Sequence, residues 1–180
     1  YLSDVPVYES VLGPSGEPAF VAYRLSSEEL SELRAIAPSH SLSASLGDRV
    51  ELRGYELPSP IQAGGDVSVA LYWRVPQPIR PDLQFSFFAH LVDTRGFVWD
   101  RVDTLGYPVS NWIEDDLLIQ LFDLAVPPDA PPLEYQLKLG MYDEVTGVRL
   151  TPSTADLADQ EGAVSTELFS LQRAATPTEG

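Results

Sequence analysis

The sequence has no cysteine, one lysine (Lys138), one methionine and only two histidines, His40 and His90. Without thiols, disulfides, thiolate metal sites and cysteine nucleophiles are excluded. Basic residues are scarce: 11 Lys and Arg stand against 27 Asp and Glu, for a formal net charge of −16, and they form no run. Phosphate-binding surfaces need clustered cations, so nucleic acid is excluded as a partner. No stretch approaches the roughly 18 apolar residues of a spanning helix. No charged segment followed by an apolar core marks a signal peptide. The chain opens on Tyr1-Leu2-Ser3-Asp4 without an initiator Met and reads as a piece of a longer protein.

What is present is 44% apolar residues, 16 prolines and 12 glycines in 180 residues. That apolar fraction is too high for disorder along the whole length, because enough surface can be buried to offset conformational entropy. The length suits one domain of roughly 100–200 residues, with or without tails.

Residues 1–45 are expected to form a leading segment. Val5–Leu12 and Ala19–Leu25 look extended and are separated by Gly13-Pro14-Ser15-Gly16, which suits a hairpin or two separate strands. Residues 26–37 (SSEELSELRAIA) are the one good helix candidate, with Ser26 or Ser27 as cap and Pro38 as terminator. The Ser-rich stretch 39–45 (SHSLSAS) reads as a flexible linker, which places a domain boundary before Leu46.

From Leu46 the pattern changes to strands between turns. Val50, Leu52, Gly54 and Glu56 alternate with Glu51, Arg53, Tyr55 and Leu57; Val67, Val69, Leu71, Trp73 and Val75 alternate with polar or small positions. Both fit half-buried strands of period 2. Further strands are expected over 84–93, 97–102, 117–126, 135–143, 148–150 and 163–171. The fold class is therefore all-β: a two-sheet antiparallel β-sandwich over residues 46–172, immunoglobulin-like or jelly-roll-like, preceded by one short helix. Residues 173–180 (RAATPTEG) read as a disordered tail.

Several segments come in an order that resembles a known module. Leu46-Gly47-Asp48-Arg49-Val50 with Gly54-Tyr55 opens it. Gly64-Gly65-Asp66 then leads into Leu71-Tyr72-Trp73, and Phe87-Phe88-Ala89-His90-Leu91-Val92-Asp93 is followed by Gly96. Tyr107-Pro108 with Trp112 comes next, then Pro127-Pro128, and Leu139-Gly140-Met141-Tyr142-Asp143 with Thr146-Gly147 and Arg149-Leu150 closes it. The pattern is similar to the β-sandwich of large bacterial membrane glycosyltransferases of the protein-mannosyltransferase and aminoarabinose-transferase-like (family 39) type. Ala22-Tyr23-Arg24-Leu25 resembles the segment ahead of that module. Asp115 and Leu133 stand where the pattern usually has glycine, so the loops there differ. In such enzymes the chemistry belongs to the membrane part and its first extracytoplasmic loop. The resemblance therefore implies a non-catalytic accessory domain in the cell envelope or periplasm, tethered through a preceding membrane part. A free-standing carbohydrate-binding or cell-surface adhesion module is the alternative, and an independent enzyme the third reading.

No catalytic, metal or cofactor residues are assigned. His90 and Asp93 invite an acid–base reading, but Gly13-Pro14-Ser15-Gly16 is not a nucleophile elbow, and His90 shares a strand face with Ser86, Phe88 and Val92. His90 reads as structural. Glu114-Asp115-Asp116 is the densest acidic cluster and matches no calcium loop. The turns after Asp93 and Asp143 carry Gly96 and Gly147, as hairpins do. Trp73 reads as core. Trp99, and Tyr107 with Trp112 in a loop, are the candidate glycan contacts, because aromatic faces stack on sugars and functional residues concentrate on loops. The expected partners are a glycan or the membrane-embedded part of the parent protein.

Overall fold

Apolar–polar alternation becomes strand almost wherever it occurs. The computed structural model describes residues 7–12, 18–23, 26, 28, 31, 37–153, 158–159 and 161–172. Strands β1 (Val7–Leu12) and β2 (Pro18–Tyr23) pair antiparallel as a two-stranded sheet, the hairpin alternative. Glu28 and Ser31 are helical, whereas most of the helix expected over 26–37 and the whole of the tail 173–180 lie outside the described residues.

Two larger sheets follow. One has four strands: β3 (His40–Leu46), β4 (Val50–Glu56), β6 (Asp66–Arg74) and β9 (Leu117–Ala125), adjacent in that order. The other runs from β5 (Ile61–Gln62) through β12 (Phe169–Gln172), β10 (Glu134–Asp143) and β7 (Phe85–Asp93) to β8 (Val98–Leu105), with β11 (Val164–Ser165) also on β10. Pairing is antiparallel except between β12 and β5. The sheets face each other across one core, where the Trp73 ring of the first meets the Phe87 ring of the second edge-on at 5.5 Å. The expected sandwich is therefore present.

Residues 39–45 differ from expectation. They are no linker: His40–Leu46 is a strand of the four-stranded sheet, paired with β4, so the sandwich begins at or before His40 rather than at Leu46. Serine hides the period. Ala44 and Leu46 are buried, and the His40 ring stacks on Tyr55 at 4.7 Å, while Ser41 and Ser43 are exposed. The expected strand 148–150 reduces to one bridge, Tyr142↔Arg149, and 163–171 splits into β11 and β12.

β7 is buried on both faces. Its inner face meets the core. Its outer face is covered where Arg149 lies over the Phe88 ring at 4.6 Å and where Gly140 lets that ring approach β10. A Cβ on Gly140 would fall 2.4 Å from Phe88 Cζ. Gly140→Ala is expected to cost about 1–3 kcal/mol through overpacking, read as a lower denaturant midpoint with an unchanged m-value.

Candidate functional site

The three aromatic candidates do not form a platform. Trp112 follows a 3₁₀ turn, Val109–Asn111, that folds the loop inward. It is 5% exposed, its indole N–H donates to the Tyr107 carbonyl at 2.8 Å, and its ring lies 6.0 Å from Phe85 and 6.3 Å from Phe87. Tyr107 is half-buried against the same core. This loop is a plug at one end of the sandwich, because a large apolar ring next to an open core end gains more from burial than from exposure. Trp99 sits at the other end of β7, where its indole N–H donates to Asp93 Oδ2 at 3.2 Å. Six strand residues, roughly 20 Å, separate Phe87 from Asp93, so Trp99 and Trp112 cannot share one sugar.

Asp93 organises the β7–β8 turn. It is 1% exposed. Its Oδ1 accepts the Arg95 and Phe97 backbone N–H groups at 2.9 and 3.0 Å, and its Oδ2 accepts the Arg95 guanidinium at 3.0 Å. Burial by itself would raise its pKa. The donors of Phe97, Arg95 and Trp99 outweigh that and hold the carboxyl at about 2. Its role is structural. His90 lies on the outer face of the same strand, cross-paired with Arg101 and Lys138. Its Nε2 is 3.7 Å from Asp103 Oδ2, beyond hydrogen-bond reach, and burial lowers its pKa against the pull of Asp103, which keeps it neutral at pH 7. Ser86, on the same face, is committed to Glu144.

The acidic cluster closes a loop. Asp115 adopts φ 68°, its N–H donates to the Val75 carbonyl at 2.8 Å, and its carboxylate holds Arg74 at 2.6 Å. Asp116 Oδ2 accepts the Ile113 N–H at 2.8 Å. Among the described residues no group of three His, Asp or Glu side chains could hold a metal ion, and no helix is long and apolar enough to cross a membrane.

Trp99 and His90 line a shallow cavity of about 510 Å³ with Arg101, Arg149 and Glu161, and a larger concavity lies on the outer face of the four-stranded sheet. It is an open groove of about 730 Å³. Tyr72 of β6 forms part of its floor beside Gly54 of β4. Arg53, Arg74, Asp115, Ser41 and Ser43 line it, and Pro38 crosses over Gly54, where any Cβ would fall 2.3 Å from Pro38 Cγ. The Arg74 guanidinium is held between Glu51 at 3.2 Å and Asp115 at 2.6 Å. Burial, with the nearby Glu56 charge, raises the Tyr72 phenol, which stays neutral at pH 7. Sequence reading missed this groove. Tyr72 sits on the polar side of a strand whose periodic signal lies on its apolar side, and the serines of 39–45 carry no strand pattern.

Trp112→Ala is expected to lower stability by about 3–5 kcal/mol, as loss of a buried ring does, measured by chemical denaturation. For Asp93 the folded pKa lies below the unfolded value, so its stabilisation is complete above about pH 4 and is lost as pH falls toward 2. Denaturation across that range should show a decline that is shallower in Asp93→Asn, which is also less stable than wild type at neutral pH.

No protein-family model matches the sequence, and no curated protein matches it. Several solved structures are similar in shape, two of them as follows. The C-terminal domain of wzt aligns over 74% of this chain and 77% of its own, at 11% identity and a TM-score of 0.47. The CARDB domain of a Pyrococcus furiosus protein, solved in complex with di-metal ions, aligns over 75% of this chain and 92% of its own, at 10% identity and a TM-score of 0.38. At these levels neither similarity bears on what this chain binds.

Proposed function

We propose that this chain is a non-catalytic accessory β-sandwich of a membrane glycosyltransferase-like protein, held outside the cytoplasm, and that it contacts glycan or acceptor through the outer groove of the four-stranded sheet. The observation that carries the binding part is the groove itself. It joins an aromatic ring at its floor, Tyr72, to planar charged side chains, Arg53, Arg74 and Asp115, with small hydroxyls at Ser41 and Ser43. Sugars present C–H faces that stack on aromatic rings and hydroxyl pairs that match planar polar groups. The ion pairs to Arg74 hold it in place before a ligand arrives, which reduces the ordering cost of binding. Support for the glycosyltransferase link comes from the ordered motifs between Leu46 and Leu150, among them Leu71-Tyr72-Trp73.

Titration of the isotopically labelled chain with a panel of neutral, amino-sugar and acidic oligosaccharides tests the binding. Backbone NMR shifts are expected around Ser41, Arg53, Tyr72 and Arg74. Tyr72→Ala is expected to weaken binding by tenfold or more while leaving the melting profile close to wild type. Shifts confined to the Trp99 or Trp112 regions, or no shifts with any glycan, would overturn the assignment of the groove.

A further inference from the structure

Among the described residues the two large sheets have four edge strands, and three are protected against pairing with another chain. β5 has two residues. β8 carries a register shift opposite Leu91 and Val92, and β3 carries one between Ser41 and Ala44 and is bridged at Leu46 by Pro152. Bulges and short length are the ordinary devices that blunt an edge. β9 has none of them. Its nine residues pair with β6 in unbroken register, and it contains no Pro, Lys or Arg.

Its open edge can be read from the hydrogen bonds. The Val126 N–H turns inward to the Gly65 carbonyl at 2.9 Å, whereas the Ala125 N–H turns outward to Asp100 Oδ2 at 2.6 Å. Strand alternation then sends the backbone groups of Leu117, Ile119 and Leu121 to the open edge. Among the described residues no strand pairs there. The side chains of the same three residues lie on the outer sheet face, opposite Arg74, Tyr72 and Ala70. Ile119 is 38% exposed and Leu121 67%.

We infer that β9 is a homodimer interface, in which two copies pair antiparallel through this edge about a twofold axis at Ile119. In that register Ile119 meets its own copy and Leu117 meets Leu121, each as a pair that exchanges both backbone hydrogen bonds. A second copy is the fitting occupant for two reasons. The stretch Leu117–Phe122 carries no charge in a chain of net charge −16, so identical chains meet there with little local repulsion. The apolar triad is also symmetric about Ile119, so the pairing is self-complementary, as a twofold interface requires. The next position outward sets Asp123 against Asp115, whose carboxylate is ion-paired with Arg74. The result is one continuous eight-stranded sheet with two Tyr72 grooves on a single face.

The absence of native cysteine makes the register testable. In the hydrogen-bonded pair the two Cα atoms at position 119 lie about 5.5 Å apart, within the span of a disulfide. Under mild oxidation the full 180-residue chain with Ile119→Cys is expected to crosslink to a dimer. Leu121→Cys alone, whose copies lie about 13 Å apart along the strand, is expected to stay uncrosslinked unless Leu117→Cys is also present. Sedimentation equilibrium of the unmodified chain should show a concentration-dependent dimer, and Ile119→Lys should be monomeric with an unchanged circular dichroism melt. A monomer up to millimolar concentration, a dimer that survives Ile119→Lys, or crosslinking at 121 alone would each overturn the inference.

Discussion

The contact between the two sheets is the constraint on which the rest of this molecule depends. Each sheet is apolar on its inner face, and neither can leave that face in water. Trp73 and Phe87 meet edge-on at the centre, and Trp73 is 0% exposed although its indole N–H has no hydrogen-bond partner among the described residues. An unmet buried donor costs about 1–3 kcal/mol, which burial of a ring of that size outweighs. Around this pair the ends are sealed by specific devices. Trp112 closes one end, and the Asp93 hub, with Trp99 and Tyr135 against it, closes the other.

The seal at Trp112 commits that ring to packing, whereas Trp99 is only partly buried. A tryptophan in a loop is available for binding only when the loop stays at the surface. Here the 3₁₀ turn at Val109–Asn111 returns the loop to the core. The larger open surface lies on the polar side of the four-stranded sheet, where short side chains at Ser41, Ser43 and Gly54 leave room beside Tyr72. Small residues form a groove by leaving space, and space leaves no mark in a hydropathy pattern.

The strong acidity takes on a different meaning once the acids are placed. Many are engaged: Asp93 with backbone donors and Arg95, Asp115 and Glu51 with Arg74, and Asp159 with Lys138 at 2.7 Å. Others cap hairpins, as Asp143 does for Thr146 at 2.8 Å, which lowers its pKa. Net charge therefore describes turn chemistry and a solvated exterior more than a partner. Its gap along Leu117–Phe122 says more about association than its total does.

The long strands between Val50 and Asp143 were legible because period-2 burial is local and the turns carry Gly, Pro and Asp. The strand face of His90 was legible too, since it follows from the same alternation. The Ser-rich strand β3 was not, since Ser41, Ser43 and Ser45 carry no apolar signal and only pairing with β4 orders them. Nor was the groove, which needs Ser41, Arg53, Tyr72 and Asp115, far apart in the chain, on one sheet face. The sequence by itself determined the all-β class and the inward residues of each long strand, because side-chain alternation follows from backbone geometry alone. Only the tertiary structure decided which strands are neighbours, which aromatics are sealed in and which edge stays open, because those depend on contacts between residues that nothing local brings together.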